Sequence, residues 1–371
     1  MRVAMISPLE MRVPPVAYGG IELVVSLLTE ELVRRGHDVT LFASGDSVTS
    51  ARLEFVCPHF LRGSDRNKNV LNMLNVVSCL ERADSFDIIH NHTQFEALPI
   101  AGLVRTPMLT TLHDNVKGDL LTLFTHYKGW YNTVSQSAKS LLPEKECCVG
   151  VIYNAIDVKS YPFNDSKREP YLLFLSRIMY EKGAHLAIAV AKRLGRRLII
   201  AGNVEAKDEE YFRTEVMPEI DGDLIQYVGE ADYQYKRELL SQAYCLLAPI
   251  IWTEPFGLFL AEAMACGTPV VAFNRGSAAE VVKHGETGFV VNTLDEMVGA
   301  VGEIHRIDRK RCREHVQHSF DVPRMVDDYF AAYQRILFES RHRTAIEALQ
   351  EPDTLTEDTT QLARSRNTVA W

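Results

Sequence analysis

Twice along this chain, short apolar runs alternate with stretches whose apolar residues recur every three or four positions. "RVAMISP" reads as a buried strand, "IELVVSLLTEELVRRG" as an amphipathic helix closed by Gly36, and "HDVTLFAS" as a strand again. "FDIIHNH" and "PMLTTLHD" add two short strands, each ending in histidine. A second series starts at "YLLFLSR" and continues through "RRLIIAGN", "LIQYVGE", "YCLLAP" and "PVVAF", with helical stretches between them. This rhythm predicts α/β architecture, a doubly wound parallel sheet in each half. The segment "VIYNAIDVKSYPFNDSKREP" breaks the rhythm with Pro, Asn, Asp and charges, and reads as the connection between two Rossmann-like domains, residues 1–160 and 165–320. Two such domains predict a deep cleft between them, lined by the loops at the C-terminal ends of the strands.

The chain of 371 residues is long enough for two separate cores. Beyond them, "VPRMVDDYFAAYQRILFES" reads as an amphipathic helix, assigned to residues 321–340. Residues 351–371 are Thr-rich, poor in apolar residues and expected to be a mobile tail. A net charge of -9 argues against nucleic acid as a partner, since phosphate backbones call for a basic stripe. Seven cysteines, odd in number and without C-x-x-C spacing, suit a reducing compartment. Cys147 and Cys148 read as two ordinary thiols at a loop rather than a redox pair. The N-terminus lacks the long apolar core of a signal peptide, and no apolar run reaches membrane-spanning length. The expected location is the cytoplasm.

The stretch "TEPFGLFLAEAMACGTPVVAF", Thr253 to Phe273, concentrates the chemistry. It follows a strand, so it belongs to the cleft end of its sheet. Pro255 bars a helix through Glu254, and the chain turns helical from Gly257 to Gly267. Phe256, Gly257 and Leu258 therefore present backbone N–H groups at a helix start, which attracts anions or hydroxyl-rich groups. Glu262 lies about 7.5 Å further along the axis. A carboxylate accepts both hydroxyls of a vicinal diol, so two of them flanking N–H donors suit a molecule made of ribose, diphosphate and sugar. The blander alternatives are a dipole partner for Glu254, an exposed helix position for Glu262, or buried ion pairs.

"EPFGLFLAEAMACGTPVVA" closely resembles the signature of the retaining family 4 glycosyltransferases, which have the GT-B fold. "YGGIELVVSLLTEELVRRGHDVTLF", "TLHD", "FLSRIMYEKG" and "GETGFVV" extend the resemblance over most of residues 1–340. The resemblance implies that Glu262 binds the donor ribose hydroxyls. Glu254 would contact the transferred sugar, together with backbone groups of Phe256, Gly257 and Leu258. Arg177 and Lys182 follow "YLLFLS"; alone they would read as solvated surface charges, but the family's matching pair holds the donor diphosphate. Gly19 and Gly20, which could be merely a turn, would close over the donor phosphates. No G-x-G-x-x-G dinucleotide fingerprint occurs.

His113 ends "PMLTTLH"; a histidine there is more often structural, but the family's T-x-H-D histidine lies near the sugar and the reacting centre. His90 and His92 form an H-x-H pair without further ligands in register for a metal, and read as structural or acceptor-side. Asp221-Gly222-Asp223 precedes a strand, at the wrong end for the cleft, and reads as a turn. No metal or other cofactor is expected.

The resemblance thus implies a hexosyltransferase. It would move glucose or a related hexose from a nucleotide-diphosphate sugar, UDP-glucose first among them, to a small-molecule, glycan or lipid acceptor, with retention of configuration. The first domain would bind the acceptor, the second the nucleotide sugar, and the late helix would cross back to the first domain. Rival readings are a sugar-nucleotide 2-epimerase of the same fold, a glycosidase using Glu254 and Glu262, and a non-enzymatic sugar-nucleotide sensor.

Overall fold

The computed structural model describes residues 1–350 apart from Lys128, Asn164 and residues 166–168. The expected tail, 351–371, lies outside the described residues. Seven strands form the first sheet: β1 (Arg2–Ile6), β2 (Asp38–Phe42), β3 (Arg52–Glu54), β4 (Ile88–Asn91), β5 (Met108–Leu112), β6 (Trp130–Thr133) and β7 (Cys148–Val151). The second sheet has six: β8 (Leu172–Leu175), β9 (Leu198–Ala201), β10 (Ile225–Tyr227), β11 (Cys245–Ala248), β12 (Val270–Phe273) and β13 (Gly288–Val291). The orders are β3-β2-β1-β4-β5-β6-β7 and β10-β9-β8-β11-β12-β13. All pairings within the two sheets are parallel.

Helices cover both faces, so the central strands β4, β5, β8, β9, β11 and β12 are buried along their length. Each sheet is wound outward from a central strand, β1 in the first and β8 in the second. The switch in winding direction falls beside these strands and leaves a crevice at their C-terminal ends.

Four strands escaped the sequence reading. β3 has only three residues, two of them charged, and β7 ("CVGV") is half-buried throughout. Trp130, Tyr131, Asn132 and Thr133 of β6 mix ring and polar side chains, and β13 starts on a glycine. Cys148 therefore opens a strand rather than lying in a loop. None of the seven cysteines is in a disulfide.

A long helix, Val322–Gln350, packs Met325, Val326, Tyr329, Tyr333 and Ile336 into the core of the first sheet. Arg35 ties it down through Asp327 Oδ1 at 2.6 Å and the Pro323 carbonyl at 3.1 Å. The two segments that run between the sheets lie side by side: Ile156 bridges Asp321, whose carboxylate accepts the Val158 N–H at 3.2 Å. Among the described residues no helix is long and apolar enough to cross a membrane.

Candidate functional site

The loops after β1, β5, β8, β9 and β11 meet between the domains around one cavity. All ten residues singled out from the sequence line it: Gly19, Gly20, His113, Arg177, Lys182, Glu254, Phe256, Gly257, Leu258 and Glu262. The second domain supplies the floor. Lys182 ends a tight turn, Tyr180–Lys182, and is followed by Gly183 at φ 78°. A Cβ on Gly183 would stand 2.2 Å from the Pro249 carbonyl oxygen, so only glycine lets the loops after β8 and β11 touch. Gly276 does the same for the Glu254 loop: a Cβ there would come within 2.2 Å of the Glu254 carbonyl oxygen. The next residue clamps the loop, its N–H donating to Glu254 O at 2.9 Å and its hydroxyl to Phe256 O at 2.7 Å. The helix that follows spans Leu258–Ala265, and no side chain caps its start at Gly257.

Both glutamates are buried and ion-paired. Glu254 Oε2 receives the Lys182 ammonium at 2.5 Å and the Trp252 indole N–H at 2.8 Å. The same ammonium lies 5.2 Å and 5.6 Å from the ring centroids of Trp252 and Phe259. Glu262 Oε1 receives Lys236 Nζ at 2.6 Å and the Tyr161 hydroxyl at 2.8 Å. Exposure of only 4% rules out a solvated helix position for Glu262. The buried ion pair, one of the bland alternatives, is real for both carboxylates. It is compatible with a site, because each pair lines the cleft and holds a charge in place before any ligand arrives.

Lys182 is thus held in place by Glu254, its ammonium fixed at the cleft wall. Arg177 is more open to a ligand. Its guanidinium makes a 3.5 Å ion pair with Glu205 and lies 5.4 Å from the Tyr18 ring centroid, with Arg62 on that ring at 5.5 Å. Among the described residues no hydrogen-bond partner reaches its buried Nε.

From the first domain, Gly19 and Gly20 open the Gly20–Arg34 helix. A Cβ on Gly20 would lie 3.5 Å from Leu258 Cδ1, which places the Gly-Gly loop directly opposite the other helix start. The Tyr18 N–H reaches Glu230 Oε1 across the cleft at 3.3 Å, and Asn115 Nδ2 reaches the Thr253 carbonyl at 2.6 Å. His113 follows β5 and is 6% exposed. Burial pushes its imidazole down to about 4. Its Nε2 lies 2.8 Å from His92 Nδ1, so the H-x-H pair reaches the site through His113.

Asp221 and Asp223 are elsewhere: Asp221 Oδ1 accepts the N–H groups of Asp223 and Ile225, both at 2.9 Å, in the turn before β10. Those bonds hold its carboxyl below the ordinary range. Among the described residues no three His, Cys, Asp or Glu side chains gather as metal ligands.

Sequence reading missed Lys236, Tyr161 and Trp252. Lys236 sits on the polar helix Tyr233–Gln242, where a lysine ordinarily faces water, and Tyr161 lies in the interdomain connection. Trp252 could have been found, being two residues from Glu254 in the same loop.

Two parallel-sheet domains thus close over a cleft lined by paired charges. The family description "Glycosyltransferase Family 4" matches residues 18–160, and "Glycosyl transferases group 1" matches residues 158–314. Glycogen synthase of Mycobacterium tuberculosis is 29% identical, over 78% of this chain and 81% of its own. The crystal structure of AviGT4, a glycosyltransferase involved in avilamycin A biosynthesis, superposes with a TM-score of 0.72 at 25% identity, covering 91% of this chain and 98% of that one. Anabaena HepE in complex with UDP-glucose superposes with a TM-score of 0.70 at 18% identity, over 90% of this chain and all of its own (100%). The chain belongs to the family 4 type of glycosyltransferases and has the GT-B fold.

Proposed function

We propose that the protein transfers a hexose, glucose or a close relative, from a UDP-sugar to an acceptor hydroxyl with retention of anomeric configuration. What carries this reading is the meeting in one cleft of Arg177, the Lys182–Glu254 pair, the uncapped start of the Leu258–Ala265 helix, and Glu262. The second domain holds the donor and the first the acceptor. The UDP preference is supported by HepE, a structural neighbour solved with UDP-glucose. A cytoplasmic location suits seven cysteines that form no disulfide.

In the reaction the acceptor oxygen bonds to the anomeric carbon as the bond from that carbon to the phosphate oxygen breaks, on the same face. The acceptor proton passes to the departing phosphate. Arg177, Lys182 and the N–H groups at Phe256, Gly257 and Leu258 stabilise the charge growing on the diphosphate. Glu254 and His113 orient the sugar as it gains oxocarbenium character. Cations and helix N–H groups carry this step, and no metal is assigned to it. An α-linked UDP-sugar should therefore give an α-linked product in excess EDTA. Anomeric coupling constants of the product check both halves together. A β-linked product overturns retention, and activity lost in EDTA but restored by magnesium overturns metal independence. A 2-epimerase is not favoured, since both matched family descriptions are of glycosyltransferases and AviGT4 is one; incubation with donor alone should leave the donor unchanged.

Binding separates the roles. If Glu262 accepts the ribose hydroxyls, Glu262→Gln should weaken uridine and UDP alike, by about 2 kcal/mol in titration calorimetry. Glutamine keeps an acceptor toward Lys236 and Tyr161, so the fold has less reason to collapse than with alanine. Arg177→Ala should weaken UDP and leave uridine as it was. Equal losses for both ligands would take the diphosphate away from Arg177.

A further inference from the structure

Three histidines of the first domain form a buried file from the cleft to the last helix. His113 Nε2 meets His92 Nδ1 at 2.8 Å, and the two rings stack at 5.1 Å. The His92 ring packs against His90 at 4.0 Å. His90 Nε2 meets Thr111 Oγ1 at 2.7 Å, and its Nδ1 meets the Tyr333 hydroxyl at 2.6 Å. His90 and His92 are fully buried, which favours the neutral form of both. A neutral imidazole has one N–H and one bare nitrogen, so partners along the file decide where each proton sits.

The far end of the file is fixed first. The Thr111 hydroxyl donates to Asn132 Oδ1 at 2.8 Å and therefore accepts from His90 Nε2–H. His90 Nδ1 is then bare and accepts the Tyr333 O–H. At the cleft end, His92 Nε2 is buried and has no hydrogen-bond partner among the described residues. Were the proton there, a buried N–H would point at nothing, and such orphan donors are rarer than orphan acceptors. The proton of His92 belongs on Nδ1, from which it donates to His113 Nε2.

We infer that His92 is a positioning residue that fixes His113 as the Nδ1–H tautomer, so that His113 can donate a hydrogen bond in the cleft but has no free lone pair with which to act as a base. This rests on the proposed function only in taking the receiver of that bond to be a hydroxyl of the transferred sugar. It leaves the acceptor proton to the departing phosphate. It also explains why an H-x-H pair on β4 and its following loop accompanies the histidine after β5: the register pairs His90 with Leu109 and Asn91 with Thr110, and just past the paired residues the rings of His92 and His113 meet.

The test reads the ring nitrogens directly. In protein labelled with ¹⁵N-histidine, long-range ¹H–¹⁵N correlation spectra should show His113 and His92 each protonated on Nδ1 and bare on Nε2, with His90 protonated on Nε2. Spectra of H92N and H113N assign the signals. A His113 protonated on Nε2 in the wild-type protein overturns the inference, whatever the activity. H92N keeps an N–H donor near the Nδ1 position and should preserve the His113 tautomer. H92L removes the donor and should give a mixture of His113 tautomers, with kcat/KM for the sugar donor falling about tenfold, the loss of one hydrogen bond. UDP, which lacks the sugar, should bind H92L as it binds the wild type. A uniform loss for UDP and UDP-sugar, or an H92N as impaired as H92L, would show that His92 merely supports packing. If H92L does not fold, the wild-type and H92N spectra still decide. A wild-type protein with the expected tautomers but no transfer to any acceptor would fault the proposed function and leave the proton arrangement standing.

Discussion

Lys182→Ala should lower the turnover of glycosyl transfer by about 10²–10³-fold, the cost of removing one fixed donor from a site of developing negative charge. The same substitution should also destabilise the protein, by about 3–5 kcal/mol, because it strands the Glu254 carboxylate in a site where only 7% of it is exposed. The two effects can be pulled apart. Replacing both partners, Lys182→Met with Glu254→Gln, removes both charges while roughly conserving volume, and keeps an acceptor for the Trp252 indole N–H. The double variant should regain most of the lost melting temperature and none of the lost turnover. Recovery of both would mean that Lys182 serves only to neutralise Glu254. Wild-type turnover in a folded Lys182→Ala protein would remove it from the chemistry altogether. Steady-state kinetics and thermal melts on the three proteins are sufficient.

That pairing marks the limit of what could be read beforehand. The β-α alternation was plain because strands buried on both faces must be continuously apolar, as Leu172–Leu175 and Val270–Phe273 are. β3 and β7 sit at the edges of the first sheet, where one neighbour is missing and the apolar demand relaxes; the sequence signal fades with it. Gathering the ten candidate residues followed from a rule of topology, that loops after parallel strands share one end of the sheet. Their partners obey no such rule. Lys236 comes to Glu262 from a neighbouring helix, and Tyr161 from the interdomain connection. Whether a carboxylate is free, solvated or paired is set by contacts across tens of residues, and spacing along the chain does not encode them. His92 shows the same thing: H-x-H invited a metal reading, and only the fold reveals that the second histidine faces another histidine.

Acid should open the first domain before the second. His90, His92 and His113 are all buried in the first domain, with His90 and His92 held well below the usual 6.5 and His113 pushed down to about 4. Above pH 6.5 these histidines are neutral whether the chain is folded or not, and they leave stability independent of pH. Below it the unfolded chain takes up three protons that the folded one refuses. Each proton then costs about 1.4 kcal/mol of stability per pH unit until the folded value is reached.

Glu22 works the other way. Buried at the start of the Gly20–Arg34 helix, with Oε1 accepting the Met11 N–H at 3.2 Å, it is raised to about 7. Between about pH 7 and the unfolded 4.5 the folded state holds a proton that the unfolded one lacks, so acid strengthens this contribution. Three buried histidines outweigh the two first-domain glutamates that burial raises, Glu22 and Glu96, so acid from pH 6.5 to 5 lowers the first domain's stability on balance. In the second domain burial lowers His185 and His315 as well, but both are only half-buried and no file of fully buried histidines occurs among its described residues, so it should hold to lower pH than the first. Hydrogen exchange, corrected for the intrinsic effect of pH, should show the peptides of β4 and β5 losing protection by pH 5 while those of β11 and β12 keep theirs. H92N should flatten the first domain's response by about one proton's worth. Equal loss of protection in both domains, or none in either, would mean that the buried histidines do not govern acid stability.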